Sequence, residues 1–83
     1  MFNYAKLRGK IKEVFNTQGE FAYAIGMSSV SLSEKLNNKV QFTQKEIERA
    51  VTLLNIKKER ISEYFFTLQV QEAEPADSKG GAR

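Results

Sequence analysis

The chain has 83 residues with no cysteine and no histidine, so it is sized for one small domain and lacks disulfides, thiolate metal sites and the imidazole that most general bases and zinc sites use. Its formal charge of +3 is uneven: residues 1–68 carry eleven Lys and Arg against seven Glu, whereas residues 69–83 carry two against three acids. A basic folded part suits an anionic partner such as nucleic acid, although many soluble proteins without one are equally basic; catalysis is not expected from this inventory, and apolar runs such as 61–70, broken by Glu63, Thr67 and Gln69, are too short for a membrane span.

Tyr4, Leu7, Ile11, Val14 and Phe15 recur at three- and four-residue intervals and predict one side of a first helix starting after Asn3. Asn3 is a good N-cap, and Phe2 and Leu7 have the spacing of a hydrophobic staple. Thr17 and Glu20 have capping-box spacing and open a second helix, 18–25, which Gly26 ends by supplying a left-handed conformation. Ser28 caps the next helix almost at once. Met27 and Leu32 repeat the staple spacing, and Leu32 with Leu36 forms the inward stripe of a third helix over 29–37.

Residues 38–42 lack helical periodicity and read as a loop. Thr43 and Glu46 repeat the capping-box spacing ahead of a fourth helix, 44–54, with Ile47, Val51 and Leu54 inward, Lys45, Glu48, Arg49 and Thr52 outward, and Asn55 as its end. Ile56, Ile61, Tyr64, Phe65 and Leu68 predict a fifth helix over 58–68. Three adjacent aromatics, Tyr64, Phe65 and Phe66, cannot share one helix face, so at least one is expected at the surface. Beyond Val70, QEAEPADSKGGAR has almost no large apolar side chain to offset the entropy of ordering. The expected domain spans 1–68, and 69–83 is expected to be a disordered tail.

A helix, a tight glycine turn and a second helix leaving steeply is a geometry that lets the second helix enter the major groove. The run QGEFAYAIGMSSVSLSEKLNNK, with Ala22 where two helices approach closely, resembles the helix-turn-helix of small phage Cro/repressor-like, XRE-type regulators, and MFNYAKLRGKI, SLSEKLNNKVQFTQKEIERA and ISEYFF extend the likeness over about residues 1–66. The resemblance implies an all-α, five-helix lambda-repressor-like or Cro-like helix-turn-helix domain, double-stranded operator DNA as partner and a part in the choice between lysogenic and lytic growth; no cofactor is expected, and the absence of cysteine makes a cytoplasmic location, in the bacterial host, the default expectation. It places base-reading slots at Ser29, Val30, Ser33 and Glu34, opposite Leu32 and Leu36, and backbone-holding contacts at Gln18, Asn37, Asn38 and Lys39; Asn37 and Lys35 are further candidates for supplementing the base reading. Ser28 belongs to the same surface.

The chemistry of these slots is mixed. Serine bonds donors or acceptors on base edges, Val30 can meet a thymine methyl and Glu34 can accept from a cytosine amino group, but none of the four base-reading slots holds Arg, Asn or Gln. Phosphate contacts, for their part, set register rather than sequence. Two functions therefore stand side by side: an operator-binding regulator, and an antirepressor or modulator that uses the same third helix to bind a partner phage repressor, for which Val30 and Glu34 suit a protein face. Phe66, Leu68 and Val70 form a candidate homodimer contact, since regulators of this type bind two-fold sites as pairs; capping of the domain's own core is the alternative. Lys6, Arg8, Lys10 and Lys12 read as a solvated charge cluster.

Overall fold

The computed structural model describes residues 1–68, and the tail expected over 69–83 lies outside the described residues. Five α-helices follow one another: α1 (Ala5–Phe15), α2 (Gln18–Ile25), α3 (Ser29–Leu36), α4 (Gln44–Leu54) and α5 (Ile61–Phe65), the last preceded by a 3-10 turn, Lys58–Arg60. No β-strand is formed among the described residues beyond a single antiparallel bridge between Phe2 and Leu68. The described residues are therefore all-α, as the periodicity predicts.

Local chemistry sets the helix ends. Thr17, Ser28 and Thr43 each accept a hydrogen bond from the backbone N–H three residues on, satisfying a donor that the first helical turn leaves free. Only at α4 is the box complete, with the Glu46 carboxylate accepting from the Thr43 N–H at 2.9 Å. At the other ends, Gly26, Asn38 and Asn55 stand in the left-handed region at φ 86°, 64° and 55°. Each allows the paired carbonyl-capping hydrogen bonds of a Schellman ending: Met27 N–H to Ala22 and Gly26 N–H to Tyr23, Lys39 N–H to Glu34 and Asn38 N–H to Lys35, Ile56 N–H to Val51 and Asn55 N–H to Thr52. Glycine and asparagine tolerate that backbone better than other residues do.

The helices close around Leu7, Ile11, Phe21, Ala22, Ile25, Leu32, Leu36, Ala50, Leu54, Ile56, Tyr64 and Phe65, with Tyr4 at the rim. Phe42, placed by sequence in a loop, is the link between the two ends of the core: its ring meets Tyr4 and Phe65 edge-on, both at 5.5 Å between centroids. Such edge contacts add roughly 0.5–1.5 kcal/mol each beyond burial. Phe15 and Phe21 meet at a tilt, with centroids 5.3 Å apart, where α1 meets α2.

Three expectations are corrected. Val14 is 45% exposed: α1 turns Leu7 and Ile11 fully inward, and in its last turn it is Phe15 that packs against the core. Asn3 does receive a backbone N–H, but from Ala5 at 2.9 Å in an Asx turn that lies ahead of the helix, and Tyr4 occupies the cap position. The fifth helix stops at Phe65 rather than running to Leu68. There the Thr67 hydroxyl donates back to the Glu63 carbonyl at 2.9 Å, the Thr67 carbonyl accepts from the Asn3 N–H at 2.7 Å, and Leu68 pairs with Phe2, which requires extended rather than helical backbone. Of the three consecutive aromatics, Tyr64 and Phe65 are buried and Phe66 is half exposed.

Candidate partner-binding surface on α3

α3 is short, capped at both ends and joined to α2 by the three-residue turn Gly26–Met27–Ser28. Leu32 and Leu36 face the core, so the residues on the far side of the helix face outward. Ser29, Val30 and Glu34 are exposed there, Val30 by 68%, with Ser33 half buried and Asn37 exposed at the helix end. Glu34 forms no ion pair with any described residue. The face is thus an apolar knob and a free carboxylate set among small hydroxyls.

The remaining sequence-derived candidates divide into those that border this face and those that hold it together. Ser28 is exposed, but its hydroxyl is engaged as the cap of α3, accepting from the Ser31 N–H at 3.0 Å. Gln18 is half buried at the start of α2, and the neighbouring Gly19 lies against Ser29: a Cβ at Gly19 would stand 3.6 Å from the Ser29 hydroxyl oxygen. Lys39 is exposed just past the end of α3 and has no carboxylate partner among the described residues.

Asn38 is turned inward instead. Its carboxamide accepts from the Phe2 N–H at 2.9 Å and donates to the Phe2 carbonyl at 2.7 Å, so it is occupied in fastening the N-terminal segment. Phe66 and Leu68 of the candidate dimer contact are exposed, and Val70 lies outside the described residues.

Lys35, considered as a nucleic-acid contact beside Asn37, is 7% exposed. It lies one helical turn past Leu32 and therefore on the inward stripe, where its ammonium meets the Glu46 carboxylate at 3.2 Å and the Gln41 carbonyl at 3.4 Å. Partial burial pushes the Glu46 carboxyl up, but hydrogen bonds from Thr43 and the Lys35 charge outweigh it, and the group titrates below its ordinary value. This pair joins α3 to the start of α4 and removes one cation from the outer surface.

One contributor was not legible in the sequence. Arg8, grouped with a solvated charge cluster, crosses from α1 to donate to the Leu36 carbonyl at 3.1 Å and to the Asn37 side-chain oxygen at 3.0 Å. Asn37 in turn donates to the Ser33 carbonyl at 2.9 Å and hydroxyl at 3.3 Å. A guanidinium at a helix C-terminus meets both the free carbonyls and the negative end of the helix dipole.

Among the described residues, no helix is long and apolar enough to cross a membrane, and no three His, Cys, Asp or Glu side chains are grouped as metal ligands would be. Fold and surface together define a small five-helix domain that presents one short capped helix to its surroundings. The chain belongs to the family described as a protein of unknown function (DUF739), whose model matches residues 1–68. Its structure is similar to the solution structure of the modulator of repression (MOR) of the temperate bacteriophage TP901-1 from Lactococcus lactis, at 41% sequence identity and a TM-score of 0.71 over 84% of this chain and 95% of that one. No curated protein matches the chain.

Proposed function

We propose that this chain is a phage regulatory protein that modulates repression by binding a partner phage repressor through the outward face of α3, without catalysis and without a cofactor. The observation that carries this reading is the chemistry of that face. Val30 and Glu34 are its most distinctive exposed groups, while Lys35 is withdrawn into an ion pair and Asn38 into the Phe2 clamp. A carboxylate amid phosphates is repelled unless it meets a base amino group, whereas against a protein it can pair with a partner's Arg or Lys beside an apolar contact at Val30. The likeness to a protein that modulates repression supports the same choice.

A second reading keeps operator DNA as the ligand of α3, in the manner of Cro/XRE-type helix-turn-helix regulators. It is favoured by the net positive charge of residues 1–68 and by Lys39 and Gln18 beside the same helix. The two are separated by titrating the purified chain against its own early promoter region at two salt concentrations, with and without the neighbouring repressor. The protein-partner reading expects a complex with the repressor and no specific, salt-sensitive binding to DNA by the chain alone. Tight, sequence-specific DNA binding that needs no repressor contradicts it.

A further inference from the structure

Among the large hydrophobic side chains of the described residues, Tyr23 is the most exposed, at 89%, and it stands on α2 rather than on α3. Its backbone is fixed: Ala22 beside it is buried, and the Tyr23 carbonyl accepts from the Gly26 N–H at 3.2 Å where the helix ends. Tyr23 lies one turn beyond Gly19 and shares its side of α2. That side adjoins the start of α3, because Gly19 lies against Ser29. A helical side chain leans over the turn N-terminal to its own Cα, here the turn of Gly19, which has no side chain of its own. Tyr23 and Val30 therefore belong to one surface that spans the turn between the two helices, with Gly19 and Ser29 between them.

The charge of this surface runs against that of the domain. From Gln18 to Glu34 the chain has two Glu and no Lys or Arg, although residues 1–68 carry eleven Lys and Arg against seven Glu. Neither Glu20 nor Glu34 forms an ion pair with any described residue. Glu20 has the spacing to close a capping box with Thr17, but the Thr17 N–H bonds instead to the Phe15 carbonyl at 2.8 Å. Its carboxylate is left to the surface, three residues before Tyr23 and on the adjoining exposed strip of α2. Glu34 stands one turn after Val30 on α3. The two carboxylates thus bracket the aromatic ring and the apolar knob.

We infer that the protein partner presents an arginine to α2 and α3 together, its guanidinium stacked on the Tyr23 ring and flanked by Glu20 and Glu34, so that Tyr23 is a second anchor of the interface beside Val30. The inference rests on the reading of α3 as a protein-binding face, and names the chemistry of that partner. A guanidinium is flat enough to stack on an aromatic face while its N–H groups reach carboxylates, which neither an apolar side chain nor a compact ammonium does as fully. A phosphate backbone would meet two repelling carboxylates and no cation between Gln18 and Glu34. A tyrosine held on a rigid helix also loses little conformational freedom on binding, which suits it as an anchor.

Calorimetric titration of the neighbouring phage repressor into the full chain, at two salt concentrations, tests the inference with Tyr23→Phe, Tyr23→Leu, Glu20→Gln and Val30→Asp variants. Tyr23→Phe keeps the ring and should bind within about threefold of the wild type, whereas Tyr23→Leu keeps only apolar area and should lose about tenfold. Glu20→Gln should weaken binding about threefold or more and make it less sensitive to salt. All of these side chains are exposed, so melting should change little. Loss of the repressor by Val30→Asp, with Tyr23→Leu and Glu20→Gln binding as the wild type does, overturns the inference and leaves the α3 reading standing. Equal affinity of Tyr23→Leu and Tyr23→Phe also overturns it, since the ring would then have no part. Absence of any complex with the wild-type chain overturns the α3 reading and this inference together.

Discussion

The carboxamide of Asn38 closes both main-chain hydrogen bonds of Phe2, 36 residues earlier, and in the same conformation serves as the left-handed residue that ends α3. One side chain thus fixes the N-terminal segment against the end of the helix proposed to bind the partner. Asn38→Asp keeps the acceptor for the Phe2 N–H but sets a charged oxygen against the Phe2 carbonyl, and Asn38→Gly keeps the backbone but loses both bonds. Each should cost about 1–3 kcal/mol in urea unfolding, with Asp the worse of the two. An unchanged midpoint for both would show that the clamp contributes nothing.

Arg8 acts on the same helix from α1. Removing its guanidinium in Arg8→Ala leaves the Leu36 carbonyl and the Asn37 side chain without their donor. The expected loss is about 1 kcal/mol of stability, together with weaker partner binding as Asn37 and Ser33 lose their fixed geometry. Arg8→Lys should restore part of the stability, since a single ammonium can reach one of the two acceptors but not hold both. Chemical denaturation and a binding titration on the same samples separate the two effects.

The Lys35–Glu46 pair makes an asymmetric prediction. Glu46→Ala strands the Lys35 ammonium in a site where it is 7% exposed and also breaks the capping box of α4, whereas Lys35→Met removes the charge and leaves Glu46 to cap its helix. Breaking one partner of a buried pair is the more damaging change, here by about 2 kcal/mol or more over the apolar replacement. Thermal unfolding of the two variants at neutral pH reads the difference directly.

Acid should act through Glu63 and Glu46. Hydrogen bonds from Arg60 and Lys6 hold the Glu63 carboxyl at about 2, well below its ordinary 4.5, and Glu46 is held low as well. A depressed carboxyl binds its proton more readily in the unfolded chain, so it stabilises the fold above the unfolded value and this contribution is lost as pH falls toward the folded one. The melting temperature should therefore hold steady from neutral pH down to about 4.5 and then fall toward pH 2, a decline that Glu63→Gln makes shallower. A melting temperature that rises on acidification contradicts this assignment.

Much of the fold was legible because its signals are local. Thr17, Ser28 and Thr43 start helices, and Gly26 and Asn55 stop them, through hydrogen bonds that span three or four residues. The candidate face followed from the family resemblance together with the Leu32 and Leu36 stripe. What sequence could not give are the contacts closed across the chain: Asn38 to Phe2, Arg8 to α3, Phe42 between Tyr4 and Phe65, and the short α5 that yields to the Phe2–Leu68 bridge. Lys35 lies between these cases. Its position three residues after Leu32 marks it as inward-facing, but only the fold supplies the Glu46 carboxylate that makes burial tolerable.

On the proposed function, α3 meets a protein partner through Val30 and Glu34. Calorimetric titration of the phage repressor into the wild-type chain and into Val30→Asp, Glu34→Lys and Lys39→Gln variants tests it most directly. The expected outcome is a loss of about tenfold or more in affinity for the Val30 and Glu34 variants, with unchanged melting, and little change for Lys39→Gln. Full repressor affinity in both Val30→Asp and Glu34→Lys would mean that the outward face of α3 is not where the repressor binds.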